Sequence, residues 1–131
     1  MPFLVPSEVN GKEATLATWI PAATGVFLLL CALIFGVIAE KSRRGTLPRN
    51  AIVGIRLMST MQSDEAWQKA HQKTWIWMAL LALIFSIGGL TLLLWREMTE
   101  THYAAITGLT GSAPIPILTI MGILAHKAAS Q

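Results

Sequence analysis

Three stretches of this chain, 19–39, 75–95 and 103–125, contain no Asp, Glu, Lys, Arg or His. Each is about 21 to 23 residues long, and at 1.5 Å per residue a helix of that length reaches roughly 32 to 35 Å, enough to cross a hydrocarbon core of about 30 Å. In lipid the backbone must satisfy its own polar groups, so each stretch has to be a helix. Trp19, Trp75, Trp95 and Tyr103 stand at the ends of these runs, where an aromatic ring prefers the headgroup level. A mean hydropathy of +0.56 with only 13% charged residues excludes an ordinary soluble domain of this size. The expected fold class is an all-α membrane protein with three transmembrane helices.

Orientation follows from where the basic residues fall. The first loop carries Lys41, Arg43, Arg44, Arg49, Arg56, Lys69 and Lys73, and the C-terminal tail adds Lys127; Lys12 and Arg96 lie on the other side. The positive-inside rule then places the N-terminus outside and the C-terminus in the cytoplasm, as a multi-pass protein of the plasma membrane. The expected organisation is an exterior segment 1–18, a first span 19–39, a cytoplasmic loop 40–74, a second span 75–95, an exterior turn 96–102, a third span 103–125 and a cytoplasmic tail 126–131. The N-terminal residues lack the positive region of a secretory signal, so the first span is expected to be kept as an anchor. A net charge of +3 beside apolar spans points to anionic lipid rather than nucleic acid. Cys31, the one cysteine, lies inside the first span and reads as a small packing residue.

The 40–74 loop is the one long polar segment. Residues 47–62 are apolar enough to lie in the interface and are interrupted by Pro48 and Gly54. At Ser63 a helix is predicted to start, with Ser63 as N-cap and Asp64 and Glu65 at the positive end of the dipole. No breaker follows before Gly88, so the second transmembrane helix is predicted to be extended by a cytoplasmic helical segment into one rod. Small residues four apart (Ala32 and Gly36, Ala82 and Ser86, and Ala104, Gly108 and Ser112) mark expected helix contacts, with a second copy or another membrane protein as an expected partner. Pro114 and Pro116 are predicted to kink the third helix.

The loop also carries the residues most able to act: Asn50, Gly54, Arg56, Asp64, Glu65, Trp67 and His71, with Arg43, Arg44 and Arg49 as contacts for anionic lipid. Arg56, a planar fork of five donors, suits a bridge to Asp64 or Glu65, or a bound anion. Trp67 and His71 share a helix face. A single histidine without a second ligand at a recognised spacing makes a packed imidazole the better reading than a metal site. No nucleophile and base, phosphate-cradling loop or cofactor motif is visible, and the spans hold no ionisable group for ion coupling. The expectation is no enzyme, no metal and no cofactor.

Taken together, Asn50, then Gly54-Ile55-Arg56, then Ser63-Asp64-Glu65 with Trp67 and His71 one turn apart, resemble the SdpI/YfhL family of small bacterial membrane proteins. The chain departs from that pattern at Leu57, Met58 and Gln72. The resemblance implies an immunity protein against a secreted, membrane-active toxin, with capture of a cytoplasmic repressor in some members. Two other readings stay open: a structural subunit of a larger membrane complex, and an oligomeric pore lined by Thr107, Thr110, Ser112 and Thr119.

Overall fold

In a computed structural model, which describes residues 16–50 and 54–131, the chain forms four α-helices. They are α1 (Trp19–Arg44), α2 (Asp64–Leu94), α3 (Glu100–Ser112) and α4 (Pro114–Ala129). The described residues contain no strand beyond an isolated backbone bridge, in which the Leu16 N–H donates to the Met98 carbonyl at 2.8 Å. α3 and α4 follow one another as a single apolar stretch, so three helical segments are long and apolar enough to cross a membrane. The exterior segment expected at 1–18 lies outside the described residues as far as residue 15, as do residues 51–53 of the loop.

α1 outlasts its apolar run by five residues and ends at Arg44 rather than Ala39. Glu40 explains the extension, because it pairs one turn on with both Arg43 and Arg44, at 2.6 Å each. Lys41, Arg43 and Arg44 also lie at the negative end of the helix dipole. The helix stops where Gly45 turns left-handed at φ 71°, with its N–H on the Ser42 carbonyl and that of Thr46 on Lys41.

α2 starts where the sequence predicts, with the Ser63 hydroxyl accepting from the Ala66 N–H at 3.0 Å. It then runs unbroken for 31 residues, about 46 Å at helical rise. Buried residues recur along it at Trp67, His71, Thr74, Met78, Leu81, Phe85, Gly88 and Leu92. These steps alternate between four and three, so a single stripe runs from one end of the rod to the other. Against it pack Leu28, Ala32, Ile38 and Ala39 of α1 and Ile117 and Met121 of α4, with Phe35 and Phe85 edge to face at 5.2 Å.

One close helix approach lies away from the predicted small-residue pairs. A Cβ on Gly25 would stand 2.7 Å from the Gly89 carbonyl oxygen, and one on Gly89 would stand 2.9 Å from that of Gly25, so α1 and α2 meet backbone to backbone there. Gly88 receives Thr110 of α3 in the same way, at 2.6 Å from its hydroxyl. Gly36 has open space above it, and Ala104, Gly108 and Ser112 point away from the other helices. A four-residue spacing identifies a face, but which face turns inward is decided by the partner helix.

Pro114 and Pro116 interrupt the third span as predicted. They lack the N–H that would continue the ladder, so α3 closes at Ser112 and α4 opens at Pro114, although Ala113 keeps helical angles. At the end of the bundle away from the basic loop, Thr99 and His102 cap α3 reciprocally, and the Trp95 and His102 rings lie 4.5 Å apart. Thr24 donates to the Ile20 carbonyl, which leaves the Tyr103 hydroxyl to donate to Thr24 across 2.8 Å. Large apolar side chains such as Phe27, Leu33, Ile87, Leu109 and Ile115 stay exposed on the outer surface, as a lipid-facing surface requires.

Candidate partner-binding loop

The basic loop is held to α2 by a clamp built from the motif residues. Trp67 and His71, one turn apart and buried, lie against each other with ring centroids 4.2 Å apart and planes tilted by 31°. Gly54 crosses over this pair. A Cβ there would come within 2.7 Å of His71 Nε2 and 2.9 Å of the Trp67 ring, and its φ of 103° is one that side chains rarely adopt. Glycine is required at this position on both counts.

The crossing fixes the next residue. Ile55 donates its backbone N–H to His71 Nε2 at 2.9 Å, so the imidazole proton resides on Nδ1 and is given to the Trp67 carbonyl at 2.8 Å. Both ring nitrogens are thereby used within the chain, and His71 is a packed connector between the loop and α2. Burial pushes its pKa below the ordinary histidine value, partly opposed by the bond to Trp67. Trp67 in turn donates Nε1 to the Leu47 carbonyl at 2.8 Å, and Gln68 donates to the same oxygen at 2.9 Å. Beside them Gln72, one of the departures from the family pattern, lies under the Gly45 cap of α1. α2 therefore grips both arms of the loop.

Beyond Ile55 the chain closes on Thr60. Its buried hydroxyl receives the Leu57 N–H at 2.9 Å and reaches the Ile55 and Leu57 carbonyls at 2.7 and 2.9 Å. Ser59 meets His126 of α4 at 2.8 Å, which ties the loop tip to the third span. Leu47, Thr60 and His126 were not among the candidate residues read from sequence, and Ile55 stood there only within the Gly54-Ile55-Arg56 run. Leu47 and Ile55 act through backbone atoms, which no residue pattern reveals, and the Ser59 hydroxyl and His126 imidazole meet across 67 positions.

Arg56 does not make the bridge to Asp64 or Glu65 considered from sequence. Asp64 is met by Arg49 at 3.3 Å, and Arg49 also donates to the Met61 carbonyl at 2.9 Å. Glu65 pairs with Lys69 at 3.0 Å. Asp64 and Glu65 are both well exposed, so these pairs contribute little stability, roughly 0 to 1 kcal/mol each. Arg56 itself is exposed, and no ion pair or hydrogen bond ties its guanidinium to the described residues. Asn50 donates to the Pro48 carbonyl at 2.7 Å and steadies the turn before the crossing. Arg43 and Arg44 are engaged with Glu40 but remain exposed. The sequence-selected residues thus divide: Gly54, Trp67 and His71 form the clamp, Arg49 and Asp64 brace its edge, and Arg56 projects.

Within one chain the four hydroxyls considered for a pore do not share a wall. Thr110 is buried against Gly88, whereas Ser112 and Thr119 are exposed and, like Thr107, donate back to their own helix. Among the described residues, no three or more His, Cys, Asp or Glu come together as a metal site would need.

A family model described as the SdpI/YfhL protein family matches residues 46–126. The match covers more than half of the chain, from the first residues of the basic loop to the last turns of α4. No curated protein and no solved structure matches.

Proposed function

Because the chain belongs to the SdpI/YfhL family, we propose that it is a non-enzymatic membrane protein of immunity or accessory type whose basic loop contacts a partner through Arg56. The observation that carries this reading is the division of labour in the loop. Its other conspicuous side chains are spent on holding the segment in place, while Arg56 projects from the residue next to the clamp. A guanidinium on a braced backbone loses little freedom on binding a carboxylate or phosphate, which favours recognition. In this reading the loop and the C-terminus face the cytoplasm of a bacterial cell, in accord with the distribution of Lys and Arg. The partner is a cytoplasmic repressor or another membrane protein, and the protection is against an envelope-active toxin.

The test is complementation. Cells lacking the protein are challenged with an envelope-active peptide toxin and supplied with the wild type, Arg56→Ala, Arg49→Ala or Trp67→Ala. Arg56→Ala is expected to reach the wild-type membrane level and fail to protect, Arg49→Ala to protect, and Trp67→Ala to accumulate poorly. Protection by Arg56→Ala equal to that of the wild type would remove this reading. A structural-subunit role is favoured by one separate observation, the outward-facing Ala104, Gly108 and Ser112 of α3, where another helix can approach closely. It predicts co-purification with one defined complex in mild detergent, lost in Gly108→Leu.

A further inference from the structure

Between the loop tip and α4 lies an open groove of about 510 Å³. One wall is Leu57 and Met58; the other is Thr119, Gly122 and Ile123, and Lys127 stands at its end. We infer that this groove holds one acyl chain of an anionic phospholipid, with the lipid phosphate resting on Lys127.

Position is the first argument. The groove follows the last turns of α4 across the point where the charge-free run 103–125 gives way to His126 and Lys127. It therefore straddles the boundary between hydrocarbon and headgroups. An apolar trough open sideways at that depth is filled by whatever apolar matter surrounds it, and in a bilayer that is an acyl chain.

The lining matches such an occupant. Gly122 lines the groove, and a Cβ added there would meet nothing within 4 Å, so the space beside it is free. Met58 is 92% exposed at the tip, an expensive place for a thioether in water but a suitable one beside a lipid chain, to which its unbranched side chain adapts. The Ser59–His126 bond at 2.8 Å keeps this wall in place. Charge selects the headgroup: Lys127 is cationic and no acidic residue lines the groove. Leu57 and Met58 are also positions where the loop departs from the family pattern.

Native mass spectrometry of the full-length protein, released from micelles containing equal phosphatidylglycerol and phosphatidylcholine, tests the assignment. The wild type is expected to retain one lipid and to prefer phosphatidylglycerol by about fivefold, the effect of one lysine near a headgroup. Lys127→Ala should erase the preference while still retaining lipid. Gly122→Leu, whose Cβ meets no protein atom and whose side chain enters the groove, should lose the lipid, and Gly108→Leu, equally open at Cβ but on α3, should keep it. Met58→Ser, at an exposed position with no folding role, should lower retention even if Gly122→Leu fails to fold. The assignment is overturned if the wild type shows no headgroup preference, if Gly122→Leu or Met58→Ser retains lipid like the wild type, or if Gly108→Leu loses it equally. A dimer that Gly122→Leu dissolves would overturn it too, since a second copy would then fill the groove.

Discussion

The backbone N–H of Ile55 points at Nε2 of His71 from 2.9 Å, and that contact joins the irregular loop to the longest of the described helices. It holds only because Gly54 passes directly over the imidazole.

Gly54→Ala is therefore expected to loosen the loop. The left-handed backbone alone costs a non-glycine residue about 1–3 kcal/mol, and the added methyl would stand 2.7 Å from His71 Nε2 and 2.9 Å from Trp67. Limited proteolysis of the detergent-solubilised protein should cut the 46–62 segment faster in this variant, with the helical content of the spans unchanged.

Acid should weaken the same contact. His71 lies before the charge-free run of α2, and its folded pKa is depressed by burial. The unfolded chain then takes up the proton first as pH falls below about 6.5, so this contribution to stability is present above that value and is lost as pH drops toward the folded pKa. One proton limits the slope to about 1.4 kcal/mol per pH unit. His71→Phe keeps a ring on Trp67 but leaves the Ile55 N–H without its acceptor, at a cost of about 1–3 kcal/mol. Thermal midpoints of the two proteins should differ at pH 7.5 and converge by pH 5, because the variant lacks this dependence. Parallel curves would show that His71 does not titrate in the unfolding reaction.

The seam between α1 and α2 gives a sharper contrast. In Gly25→Ala the new methyl meets the Gly89 carbonyl oxygen at 2.7 Å, a backbone atom that cannot rotate aside, so a loss of about 1–3 kcal/mol is expected. Gly36→Ala meets nothing and should be neutral, or stabilising by up to about 1 kcal/mol through helix propensity. Melting both variants in the same detergent measures the difference, and equal destabilisation would move the seam elsewhere.

Much of this architecture is legible without coordinates, because the medium imposes it. A run free of charge and long enough to cross lipid has one backbone solution, and Ser63-Asp64-Glu65 marks the start of α2 through local hydrogen bonding and charge. The prolines mark the break before α4 for the equally local reason that they lack a donor. What escaped was non-local. Arg49 and Arg56 are chemically alike, and only the path of the chain over Trp67 decides that Arg49 meets Asp64. Gly25 and Gly89 show no sequence pattern in common, and their facing depends on how two helices are turned toward each other. Nor does the charge-free run 19–39 mark where α1 ends, since apolarity measures what lipid demands and not where Glu40 and its arginines let a helix continue.

The buried stripe of α2 carries a constraint on how this protein can change over time. Trp67 and His71 sit on the same alternating line as Leu81, Phe85 and Leu92, with no break between them to absorb an error of phase. Inserting or deleting one residue between His71 and Met78 would swing the loop's anchor about 100° around the rod, to a side where neither α1 nor α4 awaits it. Indels in that stretch should survive only in steps near seven residues, so the spacing from the motif to the membrane behaves as a fixed ruler.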